Sequence, residues 1–285
     1  MWEKQSINTF LFGKGQYRTH VHLSGRGEAV VFLHGSGPGV AAWANWAGTL
    51  SALAEDFNCI APDLWGFGRS GHPDPAPMGV GSWMELWVRQ VIDLLDELGV
   101  NQAHIVGNSM GGAIALQLLW RHPRRFKRAV LMGTVGVPFT ITDALDQVWG
   151  FYEHPTLDRM MQIVRSFVYD PAKVGRDLAE IARERLAAAV QQEVQRSYVR
   201  MFPPPRQLHL EAVVLPEEAY RQVRHAVLLV HGRDDRVVPL ETSLRLMSLL
   251  SDVQLHVFGA CGHWVQIEMR DRFNSLVRQF LRGAL

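Results

Sequence analysis

The stretch HIVGNSMGGAIAL, residues 104–116, passes from an apolar run through Gly-Asn-Ser-Met-Gly-Gly into a second apolar run. A strand, a Gly-x-Ser-x-Gly turn and a helix in that order make a nucleophile elbow. The turn reverses the chain in very few residues and strains the backbone at Ser109. Gly107 and Gly111 lack a Cβ, so strand and helix can approach closely around it. The Ser109 hydroxyl is then held above the sheet edge at a helix N-terminus, where free amides and the helix dipole favour negative charge. A Gly/Ser turn without chemistry is the alternative, and the position between strand and helix speaks against it.

An elbow needs a sheet beneath it. Short apolar runs at 29–33, 59–61, 104–106, 129–132, 227–230 and 255–258 read as buried strands. Helical periodicity marks 82–98, 114–121, 240–250 and 270–281. Strands alternating with helices imply right-handed crossovers and a mainly parallel sheet covered on both faces. Residues 17–23 read as an antiparallel edge strand. The rhythm breaks between 136 and 209, where helical stretches at 160–168 and 176–201 replace strands. The second ends at MFPPPRQ, where three prolines stop a helix. About seventy residues with their own apolar content are too many for a plain loop, so a helical cap above the sheet edge is expected.

With 285 residues, 47% of them hydrophobic, the chain is long enough for one large domain or one domain carrying an insertion. A net charge of +1 gives no pull toward nucleic acid or an anionic membrane surface. Cys59 and Cys261 lie far apart with no metal spacing, which fits a reducing cytoplasm. Residues 1–20 lack the apolar core of a signal peptide. No uncharged apolar run reaches the roughly 18 residues of a membrane span.

A serine is a weak nucleophile until a base takes its proton. In this arrangement the acid and the histidine follow the serine, in that order. VLLVHGRDDRVVP is a strand followed by a loop carrying Asp234 and Asp235; LHVFGACGHWVQIE is a strand followed by a loop carrying His263. Strand C-termini are where open α/β sheets place their sites. Asp235 is the expected acid and Asp234 the runner-up. His263 would take the Ser109 proton and return it to the leaving group. FLHGSGPG follows the first buried strand, so the Ser36 amide pairs with that of Met110 as an oxyanion hole. His34 supports that loop, and Gly35, Gly37 and Gly39 keep it open.

Taken together, HGSGPGVAAWANW, APDLWGFGRS, GNSMGGAIALQL, HGRDDRVVPLETSLRL and LHVFGACGHWVQIEMRDRFNSLV resemble the meta-cleavage product hydrolases, and among them the 2-hydroxymuconate semialdehyde hydrolases. These enzymes hydrolyse a carbon–carbon bond in ring-fission products of aromatic degradation. The resemblance spans nearly the whole chain and is weakest in the cap. It implies an α/β-hydrolase fold: a mostly parallel sheet of about eight strands, helices on both faces and an inserted helical cap. The core would comprise residues 1–135 and 209–285, the cap 136–208. It further implies substrate contacts by Asn45, Asn108 and Trp264. A cap arginine would pair with the substrate carboxylate; EIARERLAA places it at Arg185, with Arg183 as fallback. The expected substrate is a small 2-hydroxy-6-oxo-dienoate, with no metal or organic cofactor, in a cytoplasmic homodimer or multiple of dimers.

Without the resemblance, Arg185 would read as a solvated helix charge and Asn45 as a helix cap. Two rival functions share the scaffold: a carboxylesterase, and a ligand receptor with slow hydrolase activity. Asn45, Asn108, Trp264 and a cap arginine suit an anionic dienoate better than a simple ester. Ser109 excludes an aspartate or cysteine nucleophile. Phe139, Trp149, Phe151 and Tyr152 are candidates to line the acyl side of the pocket or to form the cap core.

Overall fold

A computed structural model describes residues 8–13 and 17–285; residues 1–7, the start of the stretch read as lacking a signal sequence, lie outside it. The strands are β1 (Asn8–Phe12), β2 (Thr19–Ser24), β3 (Glu28–Leu33), β4 (Phe57–Pro62), β5 (Ala103–Asn108), β6 (Phe126–Met132), β7 (Val227–Gly232) and β8 (Val253–Phe258). The helices are α1 (Ala42–Leu53), α2 (Val80–Glu97), α3 (Met110–Arg121), α4 (Asp143–Trp149), α5 (Leu157–Ser166), α6 (Leu178–Ala189), α7 (Gln192–Met201), α8 (Gln207–Glu211), α9 (Glu217–Gln222), α10 (Glu241–Leu249), α11 (Val265–Glu268) and α12 (Arg270–Leu281).

The strands form one eight-stranded sheet in the order β1-β2-β4-β3-β5-β6-β7-β8. β2 runs antiparallel to both neighbours, and the pairs from β3–β4 through β7–β8 are parallel. The strand expected at 17–23 is therefore antiparallel but not an edge, because β1 covers it. β1 escaped sequence reading because NTFLF is five residues long and its described Phe10 and Leu11 stay exposed.

Burial follows the two-residue period of a strand. Val30 and Phe32 pack with Trp46 of α1 and Phe273 of α12 on one face. Val31 and Leu33 pack with Trp83 and Trp87 of α2 and Ile114 of α3 on the other. α2 earns this place by burying Trp83, Met84, Trp87, Val88, Val91, Leu94 and Leu95 along one stripe.

Helices α4 to α8 lie between β6 and β7. The expected single helix over 176–201 is two, α6 and α7, broken at Val190 and Gln191. Neither Pro nor Gly marks the break. The Tyr152 hydroxyl donates to the Ala189 carbonyl at 2.7 Å, so a distant side chain satisfies the α6 end. The expected boundary at 208/209 falls inside α8. α9 packs on α3 and α10, with the core. Among the described residues, no helix is long and apolar enough to cross a membrane.

Candidate active site

Parallel register aligns the strand ends that carry the candidate residues. Leu33 pairs with Gly107, Asn108 with Met132, Met132 with Val230, and Gly232 with Phe258. Ser36, Ser109, Asp235 and His263 each follow one of these ends. Ser109 sits at φ 55°, ψ −115°, a left-handed conformation a serine adopts only when its surroundings force it. Its amide donates to Met132 O at 2.9 Å. A Cβ on Gly111 would run into the Leu33 carbonyl, and one on Gly107 into the Gly111 carbonyl. Both glycines of the motif are thus required by contact between β3, β5 and α3.

His263 Nδ1 lies 2.7 Å from Asp235 Oδ2, and both side chains are buried. Asp235 Oδ1 accepts from the amides of Val237 (2.8 Å) and Val238 (3.0 Å). Burial alone would raise the Asp235 pKa, but His263 and His231 beside it hold the carboxyl well below the usual range. An ionised Asp235 makes Nδ1 of His263 the donor and leaves Nε2 as the acceptor. Asp234 is instead half-buried and engages Arg233 at 3.2 Å.

Ser109, His263, Ser36, Asn45, Asn108, Arg185 and Trp264 line one narrow cleft of about 20 Å³. Met110, the first residue of α3, is buried behind it and is not among the lining residues. An outer cavity of about 480 Å³ shares Asn45, Arg185 and Trp264 with the cleft.

The Ser36 segment is held from three sides. His34 Nδ1–H donates to Gly35 O at 2.7 Å, while its Nε2 accepts from the Leu64 amide at 3.0 Å. Burial lowers the His34 pKa, which keeps that neutral tautomer. Gly35 O and the Ser36 N–H belong to one trans peptide and point oppositely, so His34 also sets the direction of that amide. Trp149 Nε1–H donates to Ser36 Oγ at 2.9 Å. The Tyr198 hydroxyl stands 2.8 Å from Ser36 O and 2.9 Å from Val148 O and shares its one proton between them. Burial pushes the Tyr198 pKa well up, so it remains a donor.

Arg185 is 6% exposed, and among the described residues no carboxylate pairs with it; its Nε has no partner. Its guanidinium lies 5.1 Å over the Trp264 ring and 6.0 Å over Phe167. Burial lowers its pKa to about 10, so it stays charged at neutral pH. Gly37 and Gly39 make room for it: a Cβ on Gly37 would stand 3.1 Å from an Arg185 Nη, and one on Gly39, at φ +65°, would strike the Arg185 carbonyl. Arg183 is exposed.

The four cap aromatics do not line the cleft. Trp149 and Phe151 are buried in the main core, and the partly buried Phe139 and Tyr152 pack against it. Leu145, Val148 and Phe167, from the segment between β6 and β7, line the cleft together with Val237 from the loop after β7. Sequence reading missed Phe167 and Tyr198 because each sits where helical periodicity already accounts for an aromatic residue. His20, His22 and Asp63 offer ligand atoms within 4.8 Å of one another. Asp63 is already occupied by His20 and the amides of Ala42 and Arg69, which makes this cluster a tie between β2 and the loop after β4.

The alpha/beta hydrolase fold family model matches residues 28–269. The chain is 45% identical to 2-hydroxy-6-oxo-2,4-heptadienoate hydrolase of Pseudomonas putida F1, covering 94% of each chain. It is 45% identical to 2-hydroxymuconate semialdehyde hydrolase of Pseudomonas sp. strain CF600, covering 94% of this chain and 91% of that one. Among solved structures, a meta-cleavage product hydrolase from Pseudomonas fluorescens IP01, complexed with acetates, superposes with a TM-score of 0.88 at 42% identity, covering 94% of this chain and 96% of that one. A serine hydrolase from the polyaromatic-hydrocarbon-degrading bacterium Cycloclasticus zankles gives 0.96 at 41%, covering 98% and 99%.

Proposed function

Because the chain belongs to the α/β-hydrolase family, and within it to the meta-cleavage product hydrolases, we propose that it hydrolyses the C5–C6 bond of 2-hydroxy-6-oxo-hexa-2,4-dienoates. The products are 2-hydroxypenta-2,4-dienoate and a carboxylic acid, and the setting is aromatic catabolism. The observation that carries this reading is Arg185: a buried cation with no carboxylate partner among the described residues, set over the stacked rings of Trp264 and Phe167 at the cleft. A fixed guanidinium in a desolvated site calls for an anion. A neutral ester would leave it unmatched.

In this mechanism Arg185 and Asn45 hold the substrate carboxylate, Asn108 and Trp264 position the chain, and the C6 carbonyl reaches Ser109. Ketonisation moves the enol proton to C5, so that breaking C5–C6 expels a carbanion conjugated with the C2 carbonyl. His263 Nε2 takes the Ser109 proton as Oγ adds to C6. The Ser36 and Met110 amides stabilise the oxyanion. Collapse breaks C5–C6, the departing dienolate takes up a proton, and water releases the acid from Ser109. Asp235 stays ionised and holds His263 in its working tautomer.

The likeness to the relatives named for 2-hydroxy-6-oxo-2,4-heptadienoate and 2-hydroxymuconate semialdehyde favours methyl or hydrogen at C6 over phenyl, with the apolar Leu145, Val148 and Val237 lining the cleft beside the nucleophile. The helices within 136–208 act as the cap in this reading. We place the enzyme in the cytoplasm as a homodimer or multiple of dimers, in keeping with its two free, buried cysteines and with the family likeness.

The test follows the visible absorbance of yellow ring-fission products made from catechol, 3-methylcatechol and 2,3-dihydroxybiphenyl, beside p-nitrophenyl acetate. Bleaching of the first two, much faster than ester cleavage, is expected. Brisk ester hydrolysis without bleaching would make the protein an esterase and remove the substrate role from Arg185 and Asn45.

A further inference from the structure

Glu268 closes α11, the short helix that follows His263 and Trp264, and is 6% exposed. Among the described residues its partners are backbone amides and a thiol rather than a cation. Oε1 accepts from the amides of Tyr169 at 3.0 Å and Asp170 at 2.9 Å. Oε2 accepts from the Gly262 amide at 2.7 Å and weakly from Cys261 Sγ at 3.9 Å. Burial, with the carboxylate beside it, pushes the Cys261 thiol up to about 12, so Sγ keeps its proton. A carboxylate buried without a cation is costly, and a position that only filled space would carry an apolar side chain. Here four donors converge on two oxygens.

The two sides that Glu268 joins both bear on the base. Gly262 directly precedes His263. Tyr169 and Asp170 follow Phe167, whose ring lies nearly parallel to those of His263 (centroids 5.7 Å apart, 28°) and Trp264 (4.9 Å, 24°). The Trp264 amide donates to Phe167 O at 3.1 Å. The two backbones approach so closely that a Cβ on Gly262 would run into Phe167 O and the Tyr169 amide. His263 is thus held at Nδ1 by Asp235 and on its face by Phe167. We infer that Glu268 is a positioning residue for the reaction: by gathering the amides of Gly262, Tyr169 and Asp170 on one carboxylate, it fixes the His263 ring against Phe167 and so aims Nε2 at Ser109. The inference rests on the assignment of His263 as base given above. Glutamine has the same shape but one oxygen, so whichever way its carboxamide turns, an NH2 faces an N–H. Glu268→Gln therefore releases one side from the other at constant volume. Glu268→Asp keeps both oxygens and loses the reach to span the two sides.

The test measures kcat and KM for the 3-methylcatechol ring-fission product and for p-nitrophenyl acetate in wild type, Glu268→Gln, Glu268→Asp and His263→Ala. Rates are expressed per active site titrated with diethyl p-nitrophenyl phosphate. A base displaced by an ångström costs on the order of a hundredfold, and a smaller shift proportionately less. The expected result is therefore a kcat about tenfold lower in both Glu268 variants, by the same factor on both substrates, with KM changed less than about twofold. If Glu268→Gln does not fold, Glu268→Asp carries the test alone. An unchanged kcat per titrated site beside a lowered Tm would make Glu268 a structural tie and overturn the inference, as would a loss confined to KM or to one substrate. Ester hydrolysis that survives His263→Ala would instead count against the base assignment. Absence of bleaching in the wild type would count against the substrate reading and leave the ester to decide, so the failures are distinguishable.

Discussion

Arg185 sets stability against function, and replacing it separates the two. In Arg185→Met the guanidinium goes and much of the stem volume stays. Burial lowers the Arg185 pKa from 12.5 to about 10; at 1.36 kcal/mol per unit this corresponds to about 3 kcal/mol lost from the empty fold. The sign follows from a cation whose folded pKa lies below its unfolded one. The penalty is present at every pH below about 10 and fades as the pH rises toward 12.5. The two ring contacts return about 1 kcal/mol each. The net expectation is that Arg185→Met stabilises the ligand-free protein by about 1 kcal/mol, or about 2 °C in Tm for a chain of this size. Substrate sees the opposite. A buried carboxylate that loses its partner costs about 3 kcal/mol, a fall of roughly a hundredfold in kcat/KM for the dienoate. Differential scanning calorimetry and the bleaching assay read the two effects in one protein, with p-nitrophenyl acetate as the neutral comparison. A Tm that drops by several degrees, together with equal losses on dienoate and ester, would refute the reasoning. Arg185 would then be a structural cation.

Ser109→Ala should lower turnover by at least about a thousandfold, and steady-state rates near wild type would remove Ser109 from the nucleophile role. Asp235→Asn should cost roughly 10⁴ in kcat by presenting the wrong His263 tautomer. Because the folded state depresses the Asp235 pKa below its ordinary 3.8, its contribution to stability is full above that value and is lost as the pH falls below it. Acid unfolding curves of wild type and variant should therefore converge at low pH. Tyr198→Phe removes the donor to Ser36 O and should lower kcat about tenfold with KM little changed; a change confined to KM would place Tyr198 outside the oxyanion segment. Gly39→Ala forces a Cβ onto the Arg185 carbonyl at a left-handed φ, and a melting curve should show a loss of more than about 1 kcal/mol.

Local chemistry made much of this molecule readable. The Gly-Asn-Ser-Met-Gly turn, the strands before it and after it, and α12 across 270–281 all follow from patterns within a dozen residues. So did the order of Ser109, Asp235 and His263, since each falls after a strand whose apolar run is plain. What escaped depends on partners far along the chain. The break between α6 and α7 has no local marker and is satisfied by Tyr152, 37 residues away from Ala189. The four cap aromatics and the true cleft residues Leu145, Val148 and Phe167 look alike in sequence; which ones face the cleft depends on how the cap folds over it. Arg185 and Arg183 are likewise neighbours on one helix, and their different burial comes from the glycines at 37 and 39 rather than from anything near them. β1 was hidden for the opposite reason: as a short outer strand it carries almost no buried pattern.

The bonds from Trp149 and Tyr198 to Ser36 tie α4 and α7 to the loop proposed to carry an oxyanion amide. A movement that carried α4 and α7 away from this loop would break them. If that movement opened the door, it would also take apart the tool behind it. On the proposed mechanism, water and stray esters that entered through such an opening would meet a serine with less to stabilise their tetrahedral adducts.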